Sequence, residues 1–256
     1  MPRTAFSLHT WASLRAVAAF STLALAILTL TPAATAGAAA PRVDCAAVAV
    51  MDQTTGRFVY VWRADRRLPM ASTTKIMTAK AVLDSGVALS RVVRIGDLDL
   101  RWDESSAGLE EGQRLSVDQL LGALLVASAN DAARALAVAV DGGEQAFVAR
   151  MNRMARTLGL RNTHFVNPHG MDVAGHYTSA RDLTRLALEA LGDERFAEYV
   201  ARADVLLPKA NGKGSVRVQT TDTFMLANSS WVYGVKTGYT DRAGSCLVSA
   251  GVFQGE

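Results

Sequence analysis

Alternating hydrophobic and polar positions mark strands at both ends of the region that follows residue 45. Residues 46–51 and 57–63 are two strand-like segments separated by the turn Asp-Gln-Thr-Thr-Gly, which predicts a β-hairpin. Towards the other end, VLLP and SVRVQT predict two short strands, and WVYGVKTG and SCLVSAGVF predict a closing antiparallel pair.

Helical periodicity fills the region between these strands. Pro69 precedes a helical pattern that Gly86 closes, and its hydrophobic residues lie on nearly every side, which predicts a buried helix. From about 96 to 202 the pattern predicts helices joined by short loops. Their expected positions are after the capping box Ser116-Val117-Asp118-Gln119, over 131–140 and 145–158, and after the cap Ser179. We therefore predict an α/β (α+β) fold, with one antiparallel sheet from both termini and an inserted all-helical portion.

Composition excludes several classes of protein. The chain has 256 residues, of which 50% are hydrophobic and 20% charged, so it is neither disordered, collagen-like nor a disulfide miniprotein. Its net charge of +3, without a basic stripe, argues against a nucleic-acid partner. Cys45 and Cys246 permit one disulfide, but we favour two small buried hydrophobic side chains. The histidines are not spaced as ligands on one helix face, so we predict no metal and no cofactor.

The first 36 residues have the pattern of a signal peptide. Arg3 and Arg15 flank a segment without acidic residues, and an apolar run over 16–30 is followed by small residues. Ala34-Thr35-Ala36 fits a cleavage site that leaves Gly37 as the first mature residue. We expect export to the periplasm or to the outer side of the cytoplasmic membrane; the alternative is an uncleaved membrane anchor.

The first segment with chemical potential is Ser72-Thr73-Thr74-Lys75, at the start of the predicted buried helix. Residues at positions i and i+3 share a helix face, so the Lys75 amine lies beside the Ser72 hydroxyl. A serine becomes a good nucleophile when a base lies within hydrogen-bond reach. Lysine is such a base if burial or a second cation lowers its pKa. The alternative is an N-capping serine followed by a surface lysine.

Two further segments complete a set. Ser128-Ala129-Asn130 offers a hydroxyl suited to passing a proton and an amide suited to holding a substrate carbonyl, although both residues are also ordinary helix caps. In Lys236-Thr237-Gly238, glycine lets a ligand lie along a strand edge, threonine offers a hydroxyl to a carboxylate, and lysine adds positive charge. Composition gives an expected number of chance matches for each of the three motifs, and the product of these three numbers is about 0.004. The set is therefore far more specific than any one of its members.

Together the three segments resemble the S-x-x-K, S-x-N and K-T-G elements of the penicillin-recognising serine enzymes. The surrounding sequence is similar to the D-alanyl-D-alanine carboxypeptidases of peptidase family S11, from about residue 46 to 253. The segments that carry this resemblance are ASTTKIMTA, VASANDAA, LGLRNTHFVNPHGMD, HYTSARDL and GVKTGYTDRAGSCLVSA. The resemblance implies the penicillin-binding-protein/β-lactamase-like transpeptidase fold.

The resemblance also implies a role for each residue of the set. Ser72 attacks the penultimate D-Ala carbonyl of a peptidoglycan stem pentapeptide, Lys75 takes the serine proton, and Ser128 relays a proton to the departing D-Ala. Asn130 binds the substrate amide. On the strand, Lys236 lowers the local potential and helps to bind the substrate, Thr237 contacts the terminal carboxylate, and Gly238 belongs to the same substrate-binding segment; the Tyr239 N–H completes the oxyanion hole with that of Ser72. β-Lactams are the implied covalent inhibitors of Ser72.

Some features depart from this family or separate it from its relatives. No Glu-x-x-x-Asn segment of class A β-lactamases precedes Lys236-Thr237-Gly238, so fast β-lactam turnover is not expected. Thr220-Thr221-Asp222 stands where the family often has an Asn-Thr-Asn-like segment. We expect a signal peptide over 1–36 and a serine D,D-peptidase domain over 37–256 that is C-terminally incomplete, with membrane association through the missing C-terminal segment. Two alternatives stay open, a D,D-endopeptidase acting on cross-links and an inactive wall-binding fragment.

Overall fold

The computed structural model describes residues 43–98, 100–101 and 104–252. The predicted signal peptide lies outside the described residues. The strands are β1 (Val48–Met51), β2 (Phe58–Trp62), β3 (Val92–Arg94), β4 (Arg114–Ser116), β5 (Asp204–Pro208), β6 (Ser215–Gln219), β7 (Val232–Thr240) and β8 (Gly244–Gly251). The helices are α1 (Lys75–Leu83), α2 (Val117–Leu125), α3 (Asn130–Asp141), α4 (Glu144–Thr157), α5 (Ala180–Leu191), α6 (Glu194–Val200) and α7 (Thr223–Ala227), and a 3-10 turn over Ala71–Thr74 leads into α1.

The predicted hairpins are present, and local side chains explain their turns. β1 pairs with β2, and the Asp52 carboxylate accepts hydrogen bonds from the Thr54 backbone N–H at 2.8 Å and the Thr55 hydroxyl at 2.7 Å. An aspartate that bonds to the backbone two residues later is a common way to close a turn. β7 pairs with β8 in the same antiparallel manner.

Strands at both ends and helices between them confirm the α+β class, but among the described residues no backbone ladder joins the two terminal hairpins into one sheet. The described strands make four separate antiparallel pairs, β1-β2, β3-β4, β5-β6 and β7-β8. The two terminal hairpins both pack against α5, and the Gln53 side-chain amide donates to the Tyr233 hydroxyl at 3.1 Å. Side chains and a shared helix therefore hold these hairpins together where a backbone ladder was expected.

The prediction of helix from residue 96 onwards is wrong for its first part. β3 and β4 pair across the segment 95–113, called the loop below for its described residues, and the Ile95 N–H at its start donates to the Gln113 carbonyl at its end at 2.8 Å. Gly108 and Gly112 have positive φ angles of 71° and 81°, a conformation that helices exclude. Among the described residues after 96, the first regular helix is α2.

The helical core is built around α1. Its neighbours are α2, α3, α4 and α5, and every residue of α1 except Lys80 is buried, as its apolar pattern predicted. The capping box that opens α2 is also present, since the Ser116 hydroxyl accepts from the Gln119 N–H at 3.1 Å and the Gln119 side chain accepts from the Ser116 N–H at 2.8 Å. A lysine at the first position of α1 is consequently enclosed by protein.

Two smaller expectations have mixed outcomes. Cys45 and Cys246 are free thiols, but Cys45 is exposed because it precedes the first strand, so its expected burial is wrong. Cys246 is half-buried on β8. Among the helices of the described residues, none combines the length and the hydropathy that crossing a membrane requires.

Candidate active site

Ser72 and Lys75 face each other at the junction of the 3-10 turn and α1. The Lys75 Nζ lies 2.9 Å from the Ser72 Oγ. Lys75 is completely buried, whereas Ser72 is partly exposed. A substrate can therefore reach the hydroxyl while its amine partner stays away from water.

Lys75 has two further polar contacts. Its Nζ donates to the Asn130 Oδ1 and to the His169 backbone carbonyl, both at 2.6 Å. Asn130 is the first residue of α3, and His169 lies in the loop between α4 and α5. Three separate parts of the chain thus converge on one amine.

Burial lowers the pKa of Lys75 well below its usual range, because an ammonium ion loses its hydration inside the protein. The positive charge of Lys236 lowers the pKa of Lys75 further, while Glu104 and Asp131 act in the opposite direction. A lysine whose pKa is lowered in this way is better suited than an ordinary lysine to accept a proton from a neighbouring hydroxyl.

β7 carries the second lysine of the site. Lys236 is buried and its Nζ donates to the Thr237 carbonyl at 2.9 Å. Burial lowers the pKa of Lys236 to about 7, and the buried Asp222 carboxylate raises it in part. The Thr237 hydroxyl lies 2.9 Å from the Thr221 hydroxyl, so two hydroxyl groups stand together on this strand edge.

Gly238 brings β7 into close contact with the nucleophile turn. A Cβ atom placed on Gly238 would lie 2.8 Å from the Ser72 N and 3.2 Å from the Thr73 N. Contacts this short do not leave room for any side chain. Tyr239, the next residue, is 67% exposed, so its side chain lies at the open side of the strand.

Two residues of the site have strained backbones. Ala71, just before the nucleophile, has φ of 47°, and Ser128 has φ of 59°, both in the left-handed region that is costly for non-glycine residues. Ser128 is buried and lies in the short link between α2 and α3, two residues before Asn130. Strained residues of this kind concentrate at functional sites.

Comparison with known proteins identifies the family. The family model for D-alanyl-D-alanine carboxypeptidase, Peptidase S11, matches residues 34–255. The chain belongs to this family.

Its relatives agree with the assignment. The chain is 36% identical over 254 residues to a D-alanyl-D-alanine carboxypeptidase of Streptomyces sp. strain K15, covering 92% of this chain and 87% of the relative. It is 35% identical over 212 residues to the D-alanyl-D-alanine carboxypeptidase DacF of Bacillus subtilis, covering 78% of this chain but 52% of the relative, so it spans about half of that protein's length. Some other relatives are named D-alanyl-D-alanine endopeptidase.

A solved structure confirms the fold class. The crystal structure of the Streptomyces K15 DD-transpeptidase superposes with a TM-score of 0.78 at 33% identity, covering 84% of this chain and 88% of that chain. The α+β class predicted from the sequence is thus the fold class of this S11 chain.

Several polar residues of the S11 site were missed by sequence reasoning. Glu104 accepts from the Asn130 side chain and pairs with Arg134, and Asp131 accepts from the Leu109 N–H. Asp222 was quoted only as part of a departure from the family pattern, and its effect on Lys236 was not foreseen. No local pattern marks them, because they act on residues distant in sequence or lie in the stretch wrongly predicted as helix. His169 did fall inside a segment quoted for the family resemblance, but its contribution is a backbone carbonyl.

The turn that presents this carbonyl needs a glycine. The Asn167 Oδ1 accepts from the N–H groups of His169 at 3.2 Å and Gly170 at 2.7 Å. Gly170 has φ of 98°, and a Cβ on it would lie 2.0 Å from the Ala71 carbonyl oxygen. The turn therefore packs directly on the backbone before the nucleophile. Burial lowers the pKa of the His169 ring to about 2, so this neighbour of Lys75 is uncharged near neutral pH.

The chemistry available to the site is that of a hydroxyl nucleophile with an amine base. Within the described parts of the chain, no group of three or more His, Cys, Asp or Glu side chains is placed to hold a metal ion. A hydroxyl beside a buried amine, with a second lysine nearby, has the composition of a nucleophile with its base and a positive charge; the groups are those of Ser72, Lys75 and Lys236.

Proposed function

We propose that this chain is an exported serine-type D-Ala-D-Ala carboxypeptidase, which removes the terminal D-Ala of peptidoglycan stem pentapeptides through an acyl-enzyme on Ser72. The observation that carries the proposal is the fully buried Lys75 amine 2.9 Å from the Ser72 hydroxyl. Membership of the S11 family supports the substrate class.

Acylation begins with a proton transfer. Ser72 gives its hydroxyl proton to the neutral Lys75 amine while its oxygen attacks the carbonyl carbon of the penultimate D-Ala. The bond between this carbon and the terminal D-Ala nitrogen then breaks. Ser128 is the proposed relay that delivers a proton to the departing amine.

Binding of the substrate uses the β7 edge. The buried Lys236 ammonium and the Thr237 hydroxyl bind the terminal carboxylate, and the Asn130 side chain binds a substrate amide. The N–H groups of Ser72 and Tyr239 stabilise the oxyanion, in a gap that Gly238 keeps narrow. Each such donor contributes roughly 10²–10³ in rate.

Hydrolysis completes the cycle. Water attacks the ester on Ser72, the stem tetrapeptide leaves, and the serine regains its proton. β-Lactams resemble D-Ala-D-Ala and acylate the same hydroxyl, so we propose that the protein is penicillin-sensitive.

A labelling experiment tests this proposal. The purified protein is incubated with a fluorescent penicillin and, separately, with a pentapeptide that ends in D-Ala-D-Ala. We expect a covalent label and release of free D-Ala, both abolished in Ser72→Ala and both retained in Ser215→Ala, whose serine is exposed on β6. An unlabelled wild-type protein that releases no D-Ala would refute the proposal and leave an inactive wall-binding fragment.

The names of some relatives favour a second candidate, a D,D-endopeptidase. Both activities would use the same nucleophile and base, so the motifs do not separate them. Digestion of monomeric and cross-linked muropeptides with the same protein distinguishes the two activities. A carboxypeptidase shortens the monomers, whereas an endopeptidase converts dimers to monomers.

A further inference from the structure

The Asn130 side chain connects the catalytic lysine to a buried carboxylate. Its Oδ1 accepts from the Lys75 Nζ at 2.6 Å, and its Nδ2 donates to the Glu104 Oε2 at 2.8 Å. An ionised carboxylate only accepts hydrogen bonds, so Glu104 requires the NH₂ end of the amide. The oxygen end is thereby turned towards Lys75.

Glu104 is held in place independently of the Asn130 side chain. Its side chain is 1% exposed, and an Arg134 guanidinium nitrogen lies 2.9 Å from one carboxylate oxygen and 3.2 Å from the other. The Asn130 backbone N–H donates to the Ser105 carbonyl at 2.8 Å, which ties the loop to the start of α3. The Asp131 carboxylate anchors the same loop a few residues further on, since it accepts from the Leu109 N–H at 3.0 Å.

The direction of the Asn130 amide decides where the Lys75 lone pair points. A neutral amine has two N–H groups and one lone pair. The His169 carbonyl and the Asn130 Oδ1 only accept, so they take the two N–H groups and leave the lone pair for the Ser72 hydroxyl. A reversed amide would present an N–H to the amine and compete with Ser72 for the lone pair.

We propose that Glu104 is a positioning residue for acylation, which fixes the Asn130 amide so that the Lys75 lone pair faces the Ser72 hydroxyl. This inference rests on the proposed function, because it assigns Lys75 the role of base. Glu104 does not touch the substrate.

The charged groups around Lys75 determine the direction in which Glu104→Gln changes the pKa of Lys75. Lys75 faces Lys236 from β7, Asp131 from α3 and Glu104 from the loop, and Arg134 lies behind Glu104. The carboxylate of Glu104 raises the pKa of Lys75. Glu104→Gln removes that charge and permits a reversed amide, and both changes lower the pKa of Lys75 because both favour the neutral amine.

The experiment compares four proteins: wild type, Glu104→Gln, Asn130→Ala and the double variant. Glu111→Gln is the matched control, because Glu111 is exposed in the same loop. Acylation by fluorescent penicillin is resolved into a binding constant and a first-order rate constant. Protein labelled with [ε-¹³C]lysine is titrated by NMR, which is practical because the chain has only five lysines.

We expect Glu104→Gln to slow the first-order acylation step by about tenfold, the size of one hydrogen bond to a charged group, with little change in the binding constant. In the Asn130→Ala background, Glu104→Gln should change the rate by less than about twofold, since the residue that it orients is gone. The Lys75 resonance should titrate at lower pH in Glu104→Gln and at an unchanged pH in Glu111→Gln.

Equal slowing by Glu104→Gln in both backgrounds, or an unchanged Lys75 titration, would overturn the inference and leave Glu104 as a structural ion pair. If Glu104→Gln does not fold, Arg134→Lys takes its place, because it loosens the carboxylate and should slow acylation only when Asn130 is present. A wild-type protein that penicillin does not label would refute the proposed function, while the NMR titration, which needs no turnover, still decides whether Glu104 controls Lys75.

Discussion

The close approach of β7 to the nucleophile turn makes Gly238 the most sensitive small residue of the site. In Gly238→Ala, the new methyl carbon would lie 2.8 Å from the Ser72 N, 3.1 Å from the Ala71 Cβ and 3.2 Å from the Thr73 N. Two of these three atoms, the Ser72 N and the Thr73 N, belong to the backbone, so they cannot rotate away as the end of a flexible side chain would. The strand and the 3-10 turn must therefore separate by several tenths of an ångström.

The size of the effect follows from this separation. Overpacking of this kind costs about 1–3 kcal/mol of stability, which corresponds to a decrease in Tm of roughly 3–10 °C for a domain of this size. The displacement also widens the proposed oxyanion gap between Ser72 and Tyr239. Because a misplacement of about 1 Å can cost 10²-fold in rate, we expect acylation to fall by roughly one to two orders of magnitude.

Stopped-flow acylation by a fluorescent penicillin, together with differential scanning calorimetry, measures both effects. Gly96→Ala is the control, since a Cβ there meets no atom within 4 Å and its φ does not require glycine. If Gly238→Ala were acylated at the wild-type rate with an unchanged Tm, β7 would not pass against the Ser72 backbone as described, and the proposed oxyanion site would be refuted.

Three further predictions concern charge. Lys236→Ala should weaken substrate binding. It should also move the acidic limb of the acylation pH profile to higher pH, because removing the cation raises the pKa of Lys75. An acidic limb at the wild-type pH would contradict the coupling between the two lysines. Asp222→Asn keeps an oxygen that accepts from the Met225 N–H but removes a carboxylate that raises the pKa of Lys236. In the lysine NMR experiment, the pKa of Lys236 should therefore fall below the wild-type value of about 7. An equal or higher pKa in the variant would contradict an interaction between Asp222 and Lys236. Burial lowers the pKa of His176 to about 4 and that of His169 to about 2. Below about pH 6.5 the unfolded chain therefore binds protons that the folded chain does not. As the pH falls through this range, the free energy of unfolding should decrease by up to about 1.4 kcal/mol per pH unit for each ring. Urea unfolding between pH 7 and 4 checks this sign, and a midpoint that does not decrease over this range would contradict it.

Local sequence signals predicted the elements that local interactions form. The hairpin turn at Asp52 and the capping box at Ser116 each depend on residues within three positions of each other, and both are present. The same reasoning placed Ser72 beside Lys75, because one helical turn separates them. The short distance between their side-chain atoms needs no tertiary contact.

Pairing and loop structure could not be predicted in this way. The segment from about residue 96 was predicted to be helical, although the shape of its described part depends on the distant Asp131 carboxylate, which accepts from two of its backbone N–H groups, those of Ala107 and Leu109. The separation of the described strands into four pairs could not be predicted for a related reason, because hydrophobic alternation indicates a strand but does not specify which strand it pairs with. Glu104 was missed since its importance arises from Asn130 and Arg134, which lie in a different element.

The chemistry of the site depends on these non-local contacts more than on the motifs themselves. A lysine three residues after a serine is an ordinary surface pair until other elements bury it, and α1 becomes a buried helix only because four other helices surround it. The like charge of Lys236 on β7 lowers the pKa of Lys75, and the opposite charge of Glu104 in the loop raises it. The pKa of Lys75 therefore depends on two elements outside its own helix. A change in that loop should therefore alter the proposed proton transfer at Ser72 without any direct contact with Ser72, Lys75 or the substrate.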